Sequence, residues 1–277
     1  VGGIIFAMTL LGLGWVNCGA DYSRYLPSGS RPRSVALWTM LGGALPPMVL
    51  LVFGVLLAGG DPSLAEAAGG DPVAALAGAL PTWFLLAYLL TAIGGFLAGA
   101  IMDIYSSGLS MLALGVPIRR HYAVLIDGLL MVLGGYYLLF VSTSFLATFQ
   151  AFLAIIGVVM AAWAAVFLVD MWRLRKGGRS YGGPADGADR ERLLRPGAPA
   201  LHWPGLVSLV VASVVGLGLI TSADENIAAI VGFLMSRELE SGTFGAANIG
   251  VVVALVVAGA LYYLLTAFAR RGDRGPG

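Results

Sequence analysis

Long apolar stretches separated by short polar loops dominate the hydrophobic pattern of the chain. A membrane span needs about 20 predominantly apolar residues. Seven segments reach or approach that length, at about 1–20, 35–59, 83–113, 121–140, 143–169, 204–222 and 246–268. A shorter apolar run at 226–235 is too brief to cross and predicts an interfacial or re-entrant piece. We therefore expect an all-α polytopic membrane protein in which residues 1–277 form a single transmembrane domain.

The composition agrees with this prediction and excludes several classes of protein. The chain has 277 residues, of which 58% are hydrophobic and 11% charged, whereas soluble proteins average about 25% charged residues. Its single cysteine, Cys18, excludes an intrachain disulfide and a cysteine-based metal cluster. Motifs such as H-E-x-x-H and G-x-S-x-G are absent from the sequence, so we predict that the protein is not an enzyme.

Basic residues alternate with acidic ones from loop to loop. All sixteen Lys and Arg residues except Arg237 lie in loops 21–34, 114–121 and 171–202 or after residue 268. The positive-inside rule assigns these regions to the cytoplasm. We expect a plasma (inner) membrane protein with a cytoplasmic loop at 171–202 and a cytoplasmic C-terminus. A lipid-binding or nucleic-acid-binding patch is the less favoured interpretation of that loop, and no nucleic-acid partner is expected.

The first apolar segment is unusual at both ends. Residues 1–5 begin within apolar sequence and show neither an initiator Met nor the basic region of a signal peptide, so we expect the sequence to be a fragment of a longer protein. Further on, Gly12, Gly14 and Gly19 each lower helix stability by about 1 kcal/mol relative to Ala. Interrupted helices of this kind expose backbone groups near the middle of the bilayer in secondary transporters.

Trp15 lies among these glycines, close to mid-bilayer. It is either a platform on which a flat aromatic ligand stacks or an ordinary packing residue. Asp21, at the end of the segment, either forms an ion pair with Arg24 or makes a gating contact with a neighbouring helix. The sequence leaves both choices open.

A stripe of small and polar residues follows one face of the third span. It comprises Gly95, Gly99, Asp103, Ser106, Ser107 and Ser110, which recur at intervals of three and four residues. Such a stripe indicates either close helix packing or a lined cavity. A carboxylate at the centre of a membrane helix costs about 2.5–3.5 kcal/mol, so Asp103 favours a surface that faces substrate or protons.

Three other polar residues in the spans have less distinctive settings. For Asp127 we favour a structural salt bridge with Arg119 or Arg120 over a role in transport, and for Asp170 an anchoring role beside the basic residues that follow it. Gln150 either hydrogen-bonds across helices or reads a polar ligand.

Several of these residues belong to recognisable stretches. Gly14-Trp15 is followed by Asn17 and by DYSRYLP at 21–27, and the chain continues with DIYSSGLS at 103–110 and FQAFL at 149–153. These stretches resemble the nucleobase:cation symporter-1 family, which comprises cytosine/purine, uracil, allantoin and hydantoin permeases. The resemblance implies helices six to twelve of a twelve-helix protein with a five-plus-five inverted-repeat fold, working by alternating access.

The resemblance also implies roles for individual residues. Trp15, with Gly14 beside it, would stack on a planar substrate, and Asp103 would hydrogen-bond the edge of that substrate. Gln150 and Leu153 would act at the extracellular gate or as a lid over the site. Asn17, Asp21, Ser106 and Ser107 are the candidates for gating or coupling.

One departure from the family pattern concerns the coupling ion. Sodium-coupled members carry hydroxyl residues where this chain has 94-GGFLA-98, so proton and sodium coupling both remain open. No cofactor is expected besides the coupling ion. The expected partners are a nucleobase-like small molecule and the lipid bilayer, and no oligomeric state is predicted. The alternatives are a carrier of the same fold for amino acids or other small solutes, a channel, and a membrane protein without transport activity.

Overall fold

The computed structural model describes residues 2–11, 13–23, 25–27, 29–113, 119–142, 144–176, 202–236 and 247–272, together with residues 238, 242 and 245. Within these residues every regular element is helical. The α-helices are α1 (Gly2–Leu11), α2 (Gly19–Ser23), α3 (Pro32–Gly60), α4 (Pro62–Gly70), α5 (Pro72–Ala79), α6 (Thr82–Ala113), α7 (Arg120–Tyr136), α8 (Phe145–Lys176), α9 (Trp203–Leu217), α10 (Glu225–Ala228) and α11 (Gly250–Gly272). A 3₁₀ turn covers Leu13–Trp15 and a π-helical turn covers Tyr137–Val141.

The lengths and compositions of these helices are those of a polytopic membrane protein. Five of the described helices are long and apolar enough to cross a membrane, namely α3, α6, α7 with its π-helical turn, α8 and α11. Two shorter apolar helices, α9 and the segment of α1 with its 3₁₀ turn, accompany them. The all-α polytopic architecture expected from the sequence is therefore confirmed.

The chain divides into two compact units. One consists of Val1–Asn17 and Gln150–Gly277 and is called here the discontinuous unit, whereas the continuous unit is Cys18–Phe149.

Small residues form the core of the discontinuous unit, where α8, α9 and α11 pack together. Ala154, Val158, Ala212 and Ala254 are almost completely buried. A Cβ added to Gly216 would lie 2.6 Å from Val158 Cγ1 and 2.8 Å from Ala254 Cβ. The helices cross this closely because small side chains let their backbones approach.

Polar side chains fasten α8 to α11 further along both helices. The Tyr262 hydroxyl donates to Asp170 Oδ1 at 2.7 Å. Arg173 donates to the carbonyl oxygens of Tyr263 and Thr266, each at 3.2 Å. Asp170 thus anchors its helix through a tyrosine hydroxyl, and the neighbouring Arg173 binds backbone rather than this carboxylate among the described contacts.

The run at 226–235 folds back onto the end of α9. Only its first residues are helical, in α10, and turns follow. The N–H of Gly232, a residue with φ +75°, donates to the Leu217 carbonyl. Asn248, buried and also at positive φ, accepts a hydrogen bond from the Thr221 N–H. The first bond satisfies a carbonyl that the end of α9 leaves without a helical partner, and the second satisfies a backbone N–H just beyond that end.

In the continuous unit α3 has no buried residue and runs through Pro46 and Pro47 without ending. Residues 60–82, an acidic loop between the second and third predicted spans, contain α4 and α5. Each helix begins at the proline of the same four-residue motif, Gly-Gly-Asp-Pro at 59–62 and 69–72. Asp61 and Asp71 cap these helices by accepting hydrogen bonds from two backbone N–H groups each, as aspartate does at N-caps.

Helices α6 and α7 pack against each other near the connection between them. A Cβ at Gly108 would lie 3.5 Å from Val124 Cγ2, and Ser106 and Ala123 are buried. The pair brings the polar part of α6 against the first turns of α7.

Candidate functional site

The predicted site residues fall into two groups, one in each unit. Gly14, Trp15, Asn17, Gln150 and Leu153 belong to the discontinuous unit, and the remaining four belong to the continuous unit, namely Asp21, Asp103, Ser106 and Ser107.

Trp15 lies where the first apolar helix is interrupted. The α-helix ends at Leu11, the 3₁₀ turn ends at Trp15, and helical structure resumes at Gly19. The glycines predict this interruption, although Gly12 lies outside the described residues. The Trp15 side chain is 55% exposed, and a Cβ at Gly14 would meet nothing within 4 Å. The indole is therefore more than half exposed, as are many large apolar side chains of this chain, and space is open around the neighbouring glycine.

The segment that bears Trp15 is held against α8. Thr9 is buried, and a Cβ at Gly157 would lie 3.0 Å from Thr9 Cγ2. Leu13 packs against the small-residue core. Gln150 and Leu153 occupy the first turns of α8 and are half-buried. No hydrogen bond or ring contact among the described residues joins Trp15 to either of them.

The stripe on α6 is open along most of its length. Added Cβ atoms at Gly95 and Gly99 would meet nothing within 4 Å, and Asp103 is exposed. Close packing of α6 occurs further along, at Ser106 and Gly108. The described contacts therefore favour a lined surface around Asp103 over a helix-packing stripe. Ser106 is buried, and its Oγ has no hydrogen-bond partner among the described groups.

Asp127 does not form the predicted salt bridge. Among the described residues it pairs with neither Arg119 nor Arg120, and the Arg120 guanidinium lies instead over the ring of Tyr105. Asp127 lies one turn beyond Val124, the residue of α7 that faces Gly108 on α6. The α6–α7 contact explains the difference, because it brings this part of α7 beside the polar stripe. The proposed partner of Asp21, Arg24, lies outside the described residues.

Two tyrosines contact each other in the continuous unit. The sequence predicted no role for either of them. The Tyr25 and Tyr105 hydroxyls form a hydrogen bond, although the residues are far apart in the chain. Both occur in the stretches quoted above, DYSRYLP and DIYSSGLS, but only the fold brings them together.

The described residues contain no group of three or more His, Cys, Asp or Glu side chains that would hold a metal ion. Helix α6 is continuous through 94–98, so the backbone carbonyls there are already engaged in helical hydrogen bonds.

The membrane-crossing helices define the class as a polytopic membrane protein, and an interrupted helix such as the first one is typical of secondary transporters. A comparison with protein-family models places the chain in a family directly. The model described as permease for cytosine/purines, uracil, thiamine, allantoin matches residues 3–181. The protein belongs to this permease family. A search of the curated proteins found no match, and a search of the solved structures found none either.

Family membership confirms the resemblance drawn from the sequence and makes the chain a membrane-embedded transporter of small molecules. It also supports the expectation that the protein is not an enzyme. The matched residues include Trp15, Asp103, Gln150 and Leu153.

Proposed function

We propose that the protein is a secondary active transporter of nucleobases or related planar heterocycles, such as cytosine or purines, driven by a proton or sodium gradient. The observation that carries the proposal is the exposed indole of Trp15 at the break in its helix, within the residues matched by the permease family. A flat ring system stacks on such a surface irrespective of its exact substituents.

Asp103 would supply specificity in this proposal. An ionised carboxylate accepts hydrogen bonds and donates none. This suits a substrate with an exocyclic amine and a ring N–H, as in an aminopyrimidine. The same carboxylate would carry the coupling proton. The continuous helix at 94–98 supports proton coupling, because no side-chain oxygen is available there for sodium.

The charge pattern supports a location in the plasma (inner) membrane with a cytoplasmic C-terminus. Under this orientation the outer residues Gln150 and Leu153 act at the extracellular gate, while Asn17, Asp21, Ser106 and Ser107 serve gating or coupling.

Uptake into cells or vesicles tests the proposal. Labelled cytosine should enter and be competed by other nucleobases but not by amino acids. Trp15→Ala should raise the apparent KM about 5- to 150-fold, because stacking on a base contributes about 1–3 kcal/mol, and Trp15→Phe should retain part of the affinity. Trp163→Phe is the matched control, since Trp163 stacks on Phe167 within α8.

Two further measurements complete the test, namely uptake by Asp103→Asn and uptake by the wild type after either ion gradient is removed. The variant should abolish uptake or change its pH dependence, and uptake with the wild-type pH profile would contradict the role of Asp103. Collapsing the proton gradient or the sodium gradient separately identifies the coupling ion. Flux that ignores both gradients would indicate a channel and refute the proposal.

A further inference from the structure

The end of the DYSRYLP stretch makes a contact that the proposed function does not use. Tyr25 lies just beyond α2, and its hydroxyl is hydrogen-bonded to the hydroxyl of Tyr105 on α6. The guanidinium carbon of Arg120, the first residue of α7, lies 5.2 Å from the centroid of the Tyr105 ring. These three side chains, called here the tyrosine latch, join three separate segments of the continuous unit.

The latch lies outside the packed interior. Tyr25 is 72% exposed and Arg120 is exposed as well. An exposed hydrogen bond adds little to global stability because water offers an alternative partner. A cation over an aromatic face at an exposed site is similarly weak. Such contacts are readily made and broken, and this property suits a contact that changes during a transport cycle.

The latch also lies where α2 and α6 meet the predicted cytoplasmic loops. Tyr25 follows α2 within the basic loop 21–34. Tyr105 lies two residues beyond Asp103 on the part of α6 that leads to the next basic loop. A movement of the chain after Trp15 relative to α6 must stretch or break the bond between the two hydroxyls.

We propose that the tyrosine latch is a closing contact on the cytoplasmic side of the transporter. The hydroxyl bond forms when the substrate site is closed to the cytoplasm and breaks when it opens. The inference rests on the proposed function, because alternating access requires contacts on each side to form and break in turn. Tyr25 and Tyr105 are positioning residues that act through α2 and α6 without touching the substrate.

Cys18 provides a native reporter for the test, because it is the only cysteine in the chain and lies between Trp15 and α2. The experiment measures the rate at which a maleimide, applied to the cytoplasmic side of membrane vesicles, alkylates Cys18 in the full chain. Tyr25→Phe and Tyr105→Phe remove one hydroxyl each and keep the ring. Each should raise the rate about 2- to 10-fold, the range covered by one hydrogen bond.

The double variant Tyr25→Phe/Tyr105→Phe should react no faster than the single variants, since the two hydroxyls act as one unit. Arg120→Gln should give a smaller increase, and Arg119→Gln is its matched control because the charge change is the same. Tyr88→Phe is the control for the two tyrosine variants. Tyr88 lies elsewhere on α6, and its hydroxyl donates to the Val73 carbonyl of α5. Wild-type rates in both single variants, or an additive increase in the double variant, would overturn the proposal.

A cross-linking measurement tests the latch a second time, independently of Cys18. In a Cys18→Ser background, Tyr25→Cys and Tyr105→Cys are bridged with a short cleavable bis-maleimide. Uptake should stop when the bridge forms and return when it is cleaved, and uptake at the unbridged rate would refute the latch. If Cys18 labelling follows the latch variants while no nucleobase is taken up, the substrate class fails and the latch stands.

Discussion

The two units use similarly apolar helices but bury them very differently. Mean hydropathy over the most apolar window is 2.2 in α3 of the continuous unit and 2.4 in α11 of the discontinuous unit. Yet among the described residues every buried hydrophobic except Ala123 belongs to the discontinuous unit. Both helices contain glycine, but glycines of α3 such as Gly54 have open space around them, whereas Gly250 meets the backbone of α9. Hydropathy thus identifies a membrane span. Whether the small residues of that span are buried depends on whether another helix backbone crosses them closely.

The largest expected effect on stability comes from placing a methyl group where α11 crosses the backbone of α9. Gly250→Ala would press a methyl group against the carbonyl oxygen of Gly216 and against Ile220. Because a backbone carbonyl yields less readily than a side chain, we expect destabilisation of about 3 kcal/mol or more, at the upper end of the range for overpacking. The measurement is the thermal unfolding midpoint of the purified protein in detergent.

The matched control for this substitution is Gly54→Ala in α3. A methyl group there meets nothing within 4 Å, and alanine favours helix by about 1 kcal/mol over glycine, so the midpoint should be unchanged or slightly higher. Equal shifts in both variants would show that helix propensity, rather than the crossing, sets the difference between the units.

A smaller effect is expected from a single hydroxyl. Tyr262→Phe removes the donor to Asp170 from a side chain that is only 3% exposed. Hydrogen bonds to charged groups contribute about 1.5–3 kcal/mol, so the unfolding midpoint should fall. Tyr136→Phe in the continuous unit is the control, since its ring is exposed and packs on Phe140 with or without the hydroxyl. An unchanged midpoint for Tyr262→Phe would contradict the anchoring role of Asp170.

The smallest effect concerns the two helices of the repeated Gly-Gly-Asp-Pro motif. The Ser63 hydroxyl and the Leu64 N–H donate to the Asp61 carboxylate and lower its pKa from the ordinary value of 3.8. The folded state therefore favours the ionised form, and the cap stabilises α4 above pH 3.8. That contribution is lost as the pH falls through the lowered pKa.

Amide hydrogen exchange checks this prediction in one sample. Protection of α4 should decline at a higher pH in Ser63→Ala than in the wild type, because the variant loses the hydroxyl that lowers the pKa. Helix α5 is the internal control, since Val73 occupies the place of Ser63 and α5 should not respond to the substitution. An identical pH profile for α4 in both proteins would exclude the hydroxyl as the cause.

Local signals predicted much of this molecule. The length and apolar composition of the segments indicated an all-α membrane protein, and glycines around Trp15 predicted the break in the first helix. Asp127 shows where such signals fail. Its neighbours in sequence suggested an arginine partner, but the packing of α6 against α7 places Arg120 over the ring of Tyr105 instead. Pairings of this kind depend on which faces of two helices meet, and the residues next to Asp127 in the sequence do not reveal those faces.

Helices α4 and α5 were missed although their signal was present. Residues 60–82 lie between two predicted spans and were assigned as an acidic loop, but Asp-Pro after two glycines is a good helix start. Aspartate caps the first N–H groups, and proline suits the first helical position. The repetition of this tetrapeptide was the stronger indication, because the two copies begin equivalent helices.

The repeated motif also makes the length of this segment adjustable in whole steps. Its two copies are offset by ten residues, so removing 62–71 joins Asp61 to Pro72 and leaves the same Gly-Gly-Asp-Pro sequence at the junction. Duplicating the same stretch would add a third short helix with its own aspartate. A connector built this way can grow or shrink by one helix at a time without a new sequence at any joint and without altering the membrane helices on either side.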